Sequence, residues 1–250
     1  MIKKITTILN SPLGFKYKCV FLYNYKKING IDTSINGTFY IGNPKTNIKE
    51  ACVTISVFYP NNDSLVDSSI ASLILFKYYE SCSENKKLPS GEGTIDMLNT
   101  SMSFVKQVCN FITEFKLNDA STRKCDNGTT ITLPYFYITQ YNKTWYEAKF
   151  NAYLKEPLYA NYKKDIKRIM NTILPDFDVF ISNHIHNSSI NKIALDELRT
   201  IYNSNSILQD LFNNLYKIYG VSMSCIILQP WIDTFMNNTG LNKYITMCDW

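Results

Sequence analysis

Seven consecutive residues, Leu88-Pro89-Ser90-Gly91-Glu92-Gly93-Thr94, set two glycines among hydroxyl side chains where the sequence turns helical. A helix start carries unpaired backbone N–H groups and a partial positive charge, so small residues there let an anion, a phosphate above all, approach the backbone. Two phosphate cradles are excluded by spacing. No Gly-Lys-Ser/Thr follows, as a Walker A loop requires, and the third glycine of a dinucleotide fingerprint is missing. What remains is Gly-x-Gly ahead of a helix, for which a turn capped by Ser90 or Thr94 without any ligand is the structural alternative.

Other residues could act on a bound group. Glu114 and Asp119 lie on and just beyond an expected strand, as general bases or as solvated strand-edge carboxylates. His184 and His186 alternate and could share one face of a strand as metal ligands. No third ligand has metal-site spacing, so a loop between helices is the expected setting. Cys225 could join either histidine in a hydrolase, but its place before Ile226-Ile227-Leu228 reads as a small buried hydrophobe. The seven cysteines (19, 52, 82, 109, 125, 225 and 248) are scattered, without a CxxC pair, which argues against structural zinc and against a disulfide scaffold.

The elements that would hold these groups divide near residue 155. Phe15 to Tyr25, Gly37 to Ile41, Ala51 to Tyr59 and Ala71 to Tyr79 are rich in β-branched and aromatic residues between Asn, Gly, Pro and Asp clusters, and predict an antiparallel sheet. Leu98, Met102, Val105 and Cys109 then form a helical stripe, and Phe111 to Leu117 returns to period two. Asn127-Gly128 predicts a turn, Thr129 to Leu133 a short strand, and Pro134 the first turn of a helix carrying Tyr137, Tyr141, Trp145, Ala148 and Phe150. Beyond Pro157 the pattern is helical: Leu158 to Leu174, Phe177 to Asn183, Lys192 to Tyr202, Ile207 to Tyr219 and Ile226 to Met236. The expected class is α+β: a mixed, mostly antiparallel sheet with a loop-helix unit in residues 1–155, and a helical region, 156–250, packed on it.

Composition bounds the function. A 250-residue chain with 45% hydrophobic and 14% aromatic residues is expected to be packed nearly throughout. The net charge of +5 comes almost wholly from lysine, and arginine occurs only at 123, 168 and 199, which speaks against sequence-specific nucleic-acid recognition. Lys163, Lys164, Lys167 and Arg168 oppose the apolar stripe Tyr162, Ile166, Ile169 and Ile173 and read as a solvated helix face. The N-terminal Met1-Ile2-Lys3-Lys4-Ile5-Thr6-Thr7-Ile8-Leu9 is too short and threonine-rich for a signal peptide, and no apolar stretch approaches the ~20 residues that span a bilayer. A protein of the cytoplasm, reducing and without a membrane partner, is expected. Heavy use of Asn, Lys, Ile and Tyr fits an AT-rich genome, a large DNA virus being favoured and host cytoplasm then implied.

In order of elements, residues 70–150 resemble the core of GNAT-type N-acyltransferases: strand, Gly-x-Gly loop, amphipathic helix, strand, and a later helix ending Trp145-Tyr146-Glu147-Ala148-Lys149-Phe150. The resemblance implies acetyl-CoA, or another acyl-CoA, as co-substrate without a metal, and transfer to an amine acceptor that is a small molecule or a protein. Ser90, Gly91, Glu92, Gly93 and Thr94 would then line the CoA pyrophosphate. Tyr146 would protonate the leaving thiolate, with Glu114 or Asp119 as base. Leu88 stands where that family has Arg or Gln. The alternative is a non-catalytic scaffold on the same sheet, its tyrosines and tryptophans (Tyr135, Tyr137, Tyr141, Trp145, Trp231, Trp250) serving as interface anchors or as core.

Overall fold

Tyr17, Cys19 and Phe21 recur at every second position and so share one face of a strand, which must find apolar cover. In the computed structural model they do. It describes residues 2–28, 31–42, 50–58, 70–117, 121–185 and 192–245, with the backbone alone at 25–28, 31–35 and 192–194. The chain forms two compact units, residues 1–117 and 118–250.

The first unit is a six-stranded sheet whose spatial order is its chain order. Its strands are β1 (Ile2–Asn10), β2 (Lys16–Ile28), β3 (Ile31–Ile41), β4 (Val53–Phe58), β5 (Ile70–Phe76) and β6 (Glu114–Leu117). All neighbours are antiparallel except β5 and β6, which run parallel from Ile70↔Glu114 to Leu73↔Leu117. A parallel pair needs a crossover, and helix α1 (Glu92–Val108) supplies it. The register Phe21↔Phe39↔Ile55 puts three apolar side chains in one row, all buried. Met97, Leu98 and Val105 of α1 are buried too, and Phe104 meets Phe39 edge-on with ring centroids 6.0 Å apart. Phe39→Ala would cost about 3–5 kcal/mol.

The second unit is a β-hairpin, β7 (Thr122–Lys124) and β8 (Thr130–Thr132), followed by eight helices among the described residues. They are α2 (Leu133–Tyr141), α3 (Trp145–Phe150), α4 (Leu158–Met170), α5 (Phe177–His184), α6 (Lys192–Tyr202), α7 (Leu208–Leu228), α8 (Ile232–Asn238) and α9 (Asn242–Ile245). The unit boundary falls well before the composition shift near residue 155 because α2 packs with later helices. Phe136 meets Tyr216 at 5.8 Å, and the Tyr135 hydroxyl donates to Asn237 Oδ1 at 2.8 Å. The single helix expected over 134–150 is two, broken where Asn142 takes a left-handed conformation at φ 55°. Trp231 is buried against Phe180 and Phe212, its indole N–H donating to the Ile227 carbonyl at 3.0 Å.

A buried carboxylate ties α3 to α4. Glu147, 6% exposed, accepts from the Tyr159 and Tyr162 hydroxyls at 3.0 and 3.1 Å and from Lys163 Nζ at 3.0 Å. Lys163 therefore does not merely coat a solvated face; it neutralises an inward charge, with 38% of its side chain still exposed. Burial first, then the Glu147 charge, pushes the Tyr162 phenol far above its ordinary pKa, so it stays a donor.

The cysteines correct the expectation drawn from their spacing. Cys52 and Cys82, with Cα atoms 6.0 Å apart, form one disulfide, and Cys125 and Cys225, at 5.6 Å, form another. Spatial approach of Cα atoms, not a pattern along the chain, decides whether a bridge can close.

Candidate functional site

The segment between β5 and α1 is fixed by its own chain. Lys77 N–H donates to the Cys52 carbonyl at 2.7 Å, Leu88 N–H to the Glu80 carbonyl at 2.9 Å, and the Tyr78 hydroxyl to the Leu88 carbonyl at 2.8 Å. With Cys82 bridged to Cys52, this delivers the helix start at a defined place. Gly91 is the N-cap at φ 80°, a backbone state that L side chains rarely adopt, and no side chain caps the helix. The cap expected from Ser90 or Thr94 is absent because Gly91 holds that position. A Cβ on Gly93 would lie 2.8 Å from Pro89 Cδ and 2.9 Å from Leu88 Cδ1, so this glycine lets the preceding loop fold back onto the helix. Ser90, Gly91 and Glu92 are exposed, Gly93 is buried and Thr94 half-buried.

Beside this helix start opens a cleft of about 760 Å³ between α1 and the end of β1 with the turn that follows. Glu92, Asp96, Asn99, Thr100, Ser103 and Gln107 recur every three or four residues and form its polar wall. Ile8, Leu9, Leu13, Ile95 and Phe104 supply apolar surface. Asp96 of the polar wall accepts at Oδ2 from the Tyr17 hydroxyl at 2.8 Å, both residues being buried. Burial, followed by the hydrogen bond and charge of Asp96, pushes the Tyr17 phenol far up, which keeps it protonated as the donor. Thr100 Oγ1 is buried without a hydrogen-bond partner among the described residues. A mixed polar and apolar lining of this size suits a small organic molecule.

The residues singled out from sequence are spread through the fold. Glu114 is exposed at the first position of β6, beyond the C-terminal end of the 17-residue α1, whereas the Gly91 turn is at the other end, about 25 Å away along the helix. Asp119 lies outside the described residues. Tyr146 belongs to the second unit, 4% exposed, its ring 4.8 Å from Trp145 and 6.0 Å from Phe150. His184 sits between the rings of Phe180 at 4.9 Å and Phe235 at 5.1 Å; His186 and Trp250 lie outside the described residues. Cys225 is disulfide-bonded and so offers no thiolate nucleophile.

Sequence reasoning passed over Asp96 and Tyr17. The available signal was the polar stripe at 92, 96, 99, 103 and 107, opposite the apolar one; its partner Tyr17, 79 residues earlier, carried none. No family model, curated protein or solved structure matches this chain. Among the described residues no group of three or more His, Cys, Asp or Glu side chains is placed to hold a metal ion, and no helix is long and apolar enough to cross a membrane.

Proposed function

We propose that the first unit is a small-molecule-binding module and that its site is the cleft between β1 and α1, so that the chain acts by binding rather than by acyl transfer. The carrying observation is the cleft itself: about 760 Å³ of mixed polar and apolar lining, with the buried Asp96 carboxylate, hydrogen-bonded to Tyr17, in its wall. The test is amide NMR of the full chain against cationic, neutral and anionic small molecules. Shifts confined to β1 and α1 residues, lost when Ser103→Trp fills the cleft of a still folded protein, are the expected result. A folded sample whose cleft resonances respond to no compound removes the reading.

A second reading, an acyl-CoA-dependent N-acyltransferase, is favoured by one observation: the parallel strands β5 and β6 are joined through the Gly91 turn and α1. In it the backbone amides of Gly91 to Thr94 hold the CoA pyrophosphate. The amine nitrogen attacks the thioester carbonyl and its proton passes to a base, for which Glu114 is the candidate within this unit; the C–S bond breaks, and the thiolate takes a proton from water. The Glu92 carboxylate stands at the same helix start and opposes an anion there, which places this reading second. Calorimetry with acetyl-CoA and CoA decides it. Micromolar binding that is lost when Gly91 and Gly93 become Val supports this reading; no heat with either ligand sinks it.

The two disulfides favour an oxidising milieu over the reducing cytoplasm expected from composition. Alkylation of protein from its native source without prior reduction tests this. Protection of Cys52, Cys82, Cys125 and Cys225 is the expected result, and labelling of all four would restore the reducing compartment.

A further inference from the structure

The ligand class follows from Asp96, and the inference rests on the cleft being a binding site. Asp96 is 8% exposed, and its hydrogen-bond donor among the described residues is the neutral Tyr17 phenol. Taking a carboxylate that far out of water is costly unless a counter-ion compensates. Among the described residues no lysine, arginine or histidine lines the cleft. Lys86 Nζ, which donates to the Leu13 carbonyl at 3.0 Å and stands 4.2 Å over the Phe15 ring, is not among the lining groups. One turn before Asp96, Glu92 adds a second carboxylate to the same wall. Glu92 also has a structural reason to be there, as an acid in the first turn of a helix, so Asp96 carries the selection.

We propose that the cleft takes an organic ammonium ion, an amine on an aryl or alkyl body. The ammonium donates to Asp96, with Glu92 as a second acceptor, and supplies the missing counter-charge. Its carbon skeleton lies against Ile8, Leu13 and Phe104.

Three probes of one shape separate charge from fit: tyramine, its neutral analogue tyrosol, and the anion 4-hydroxyphenylacetate, each titrated into the full chain by amide NMR. Tyramine is expected to bind in the cleft, tyrosol roughly tenfold more weakly, and the anion more weakly still. Asp96→Asn keeps an acceptor for Tyr17 and should bring tyramine down to the level of tyrosol; Glu92→Gln should weaken it less. Well-dispersed spectra establish that both variants are folded. Equal binding of the three probes, preference for tyrosol or the anion, or tyramine binding unchanged in Asp96→Asn overturns the ammonium while leaving a binding cleft in place. No cleft response to any of the three, while other compounds do produce one, likewise overturns the class alone. Silence towards every compound removes the cleft reading itself.

Discussion

Both units bury a carboxylate under tyrosine hydroxyls, and they treat it differently. In the second, Glu147 receives two phenols and a lysine. In the first, Asp96 receives one phenol and faces a cleft lined, among the described residues, by no cation. A carboxylate that only joins helices is best closed off with its counter-ion, as Glu147 is; one left open on one side retains an unmet electrostatic demand that a ligand can satisfy. The staples differ too. One bridge closes a 30-residue separation beside the cleft-bearing helix, the other a 100-residue separation holding the hairpin to α7.

The largest effect should come from the second unit's staple. Replacing Cys125 and Cys225 by Ser removes a constraint worth about 4.7 kcal/mol on chain-entropy grounds, against about 3.6 kcal/mol for the Cys52 and Cys82 pair. Urea denaturation of the two double variants measures the ordering, and a larger loss at Cys52 and Cys82 would reverse it. Next is the contrast of carboxylates. Glu147→Ala strands two phenols and a lysine and should cost about 3 kcal/mol. Asp96→Asn should lie within about 1 kcal/mol of neutral, because the amide keeps an acceptor for Tyr17. Equal losses at the two sites would break the comparison. Lys163→Met should cost about 1 kcal/mol, since solvent already screens part of its charge.

The smallest effect is at acid pH. Burial raises the Asp165 pKa, but the hydrogen bonds from Tyr244 and Lys243, at 2.9 and 3.1 Å, outweigh it and hold the carboxyl below its ordinary value. Its stabilising contribution is therefore present above the ordinary carboxylate pKa and is lost as pH falls through the lowered one. Asp165→Asn should flatten that part of the stability profile measured by thermal melts; an unchanged acid limb would assign it to other carboxylates.

The strands β2 to β5 and helix α1 were legible because their burial is periodic: Tyr17, Cys19 and Phe21 alternate, and Leu98 and Val105 fall on one helical face. The N-terminal strand was not. Ile2, Ile5 and Ile8 are spaced by three, without the alternation that marks a strand, and all three stay exposed on an edge whose conformation comes from pairing with β2. The break after Tyr141 depends on the left-handed Asn142, a state that asparagine permits but does not announce. Of the cleft, the helix start at Gly91 could be read ahead and the Gly93 contact with Leu88 could not. Asp96 looked like any polar residue on a helix, since nothing local brings Tyr17 to it.

The sheet's spatial order also bears on how it assembles. Because β1 to β5 are neighbours in the order in which they are synthesised, each antiparallel pair can form before later residues exist, between segments close in sequence and so at small entropic cost. Only the parallel β5–β6 pair must wait, until α1 has formed and crossed the sheet. The polar wall of the cleft, carried by that same helix, is thus among the last features of the first unit to be completed, after a scaffold able to receive it already stands.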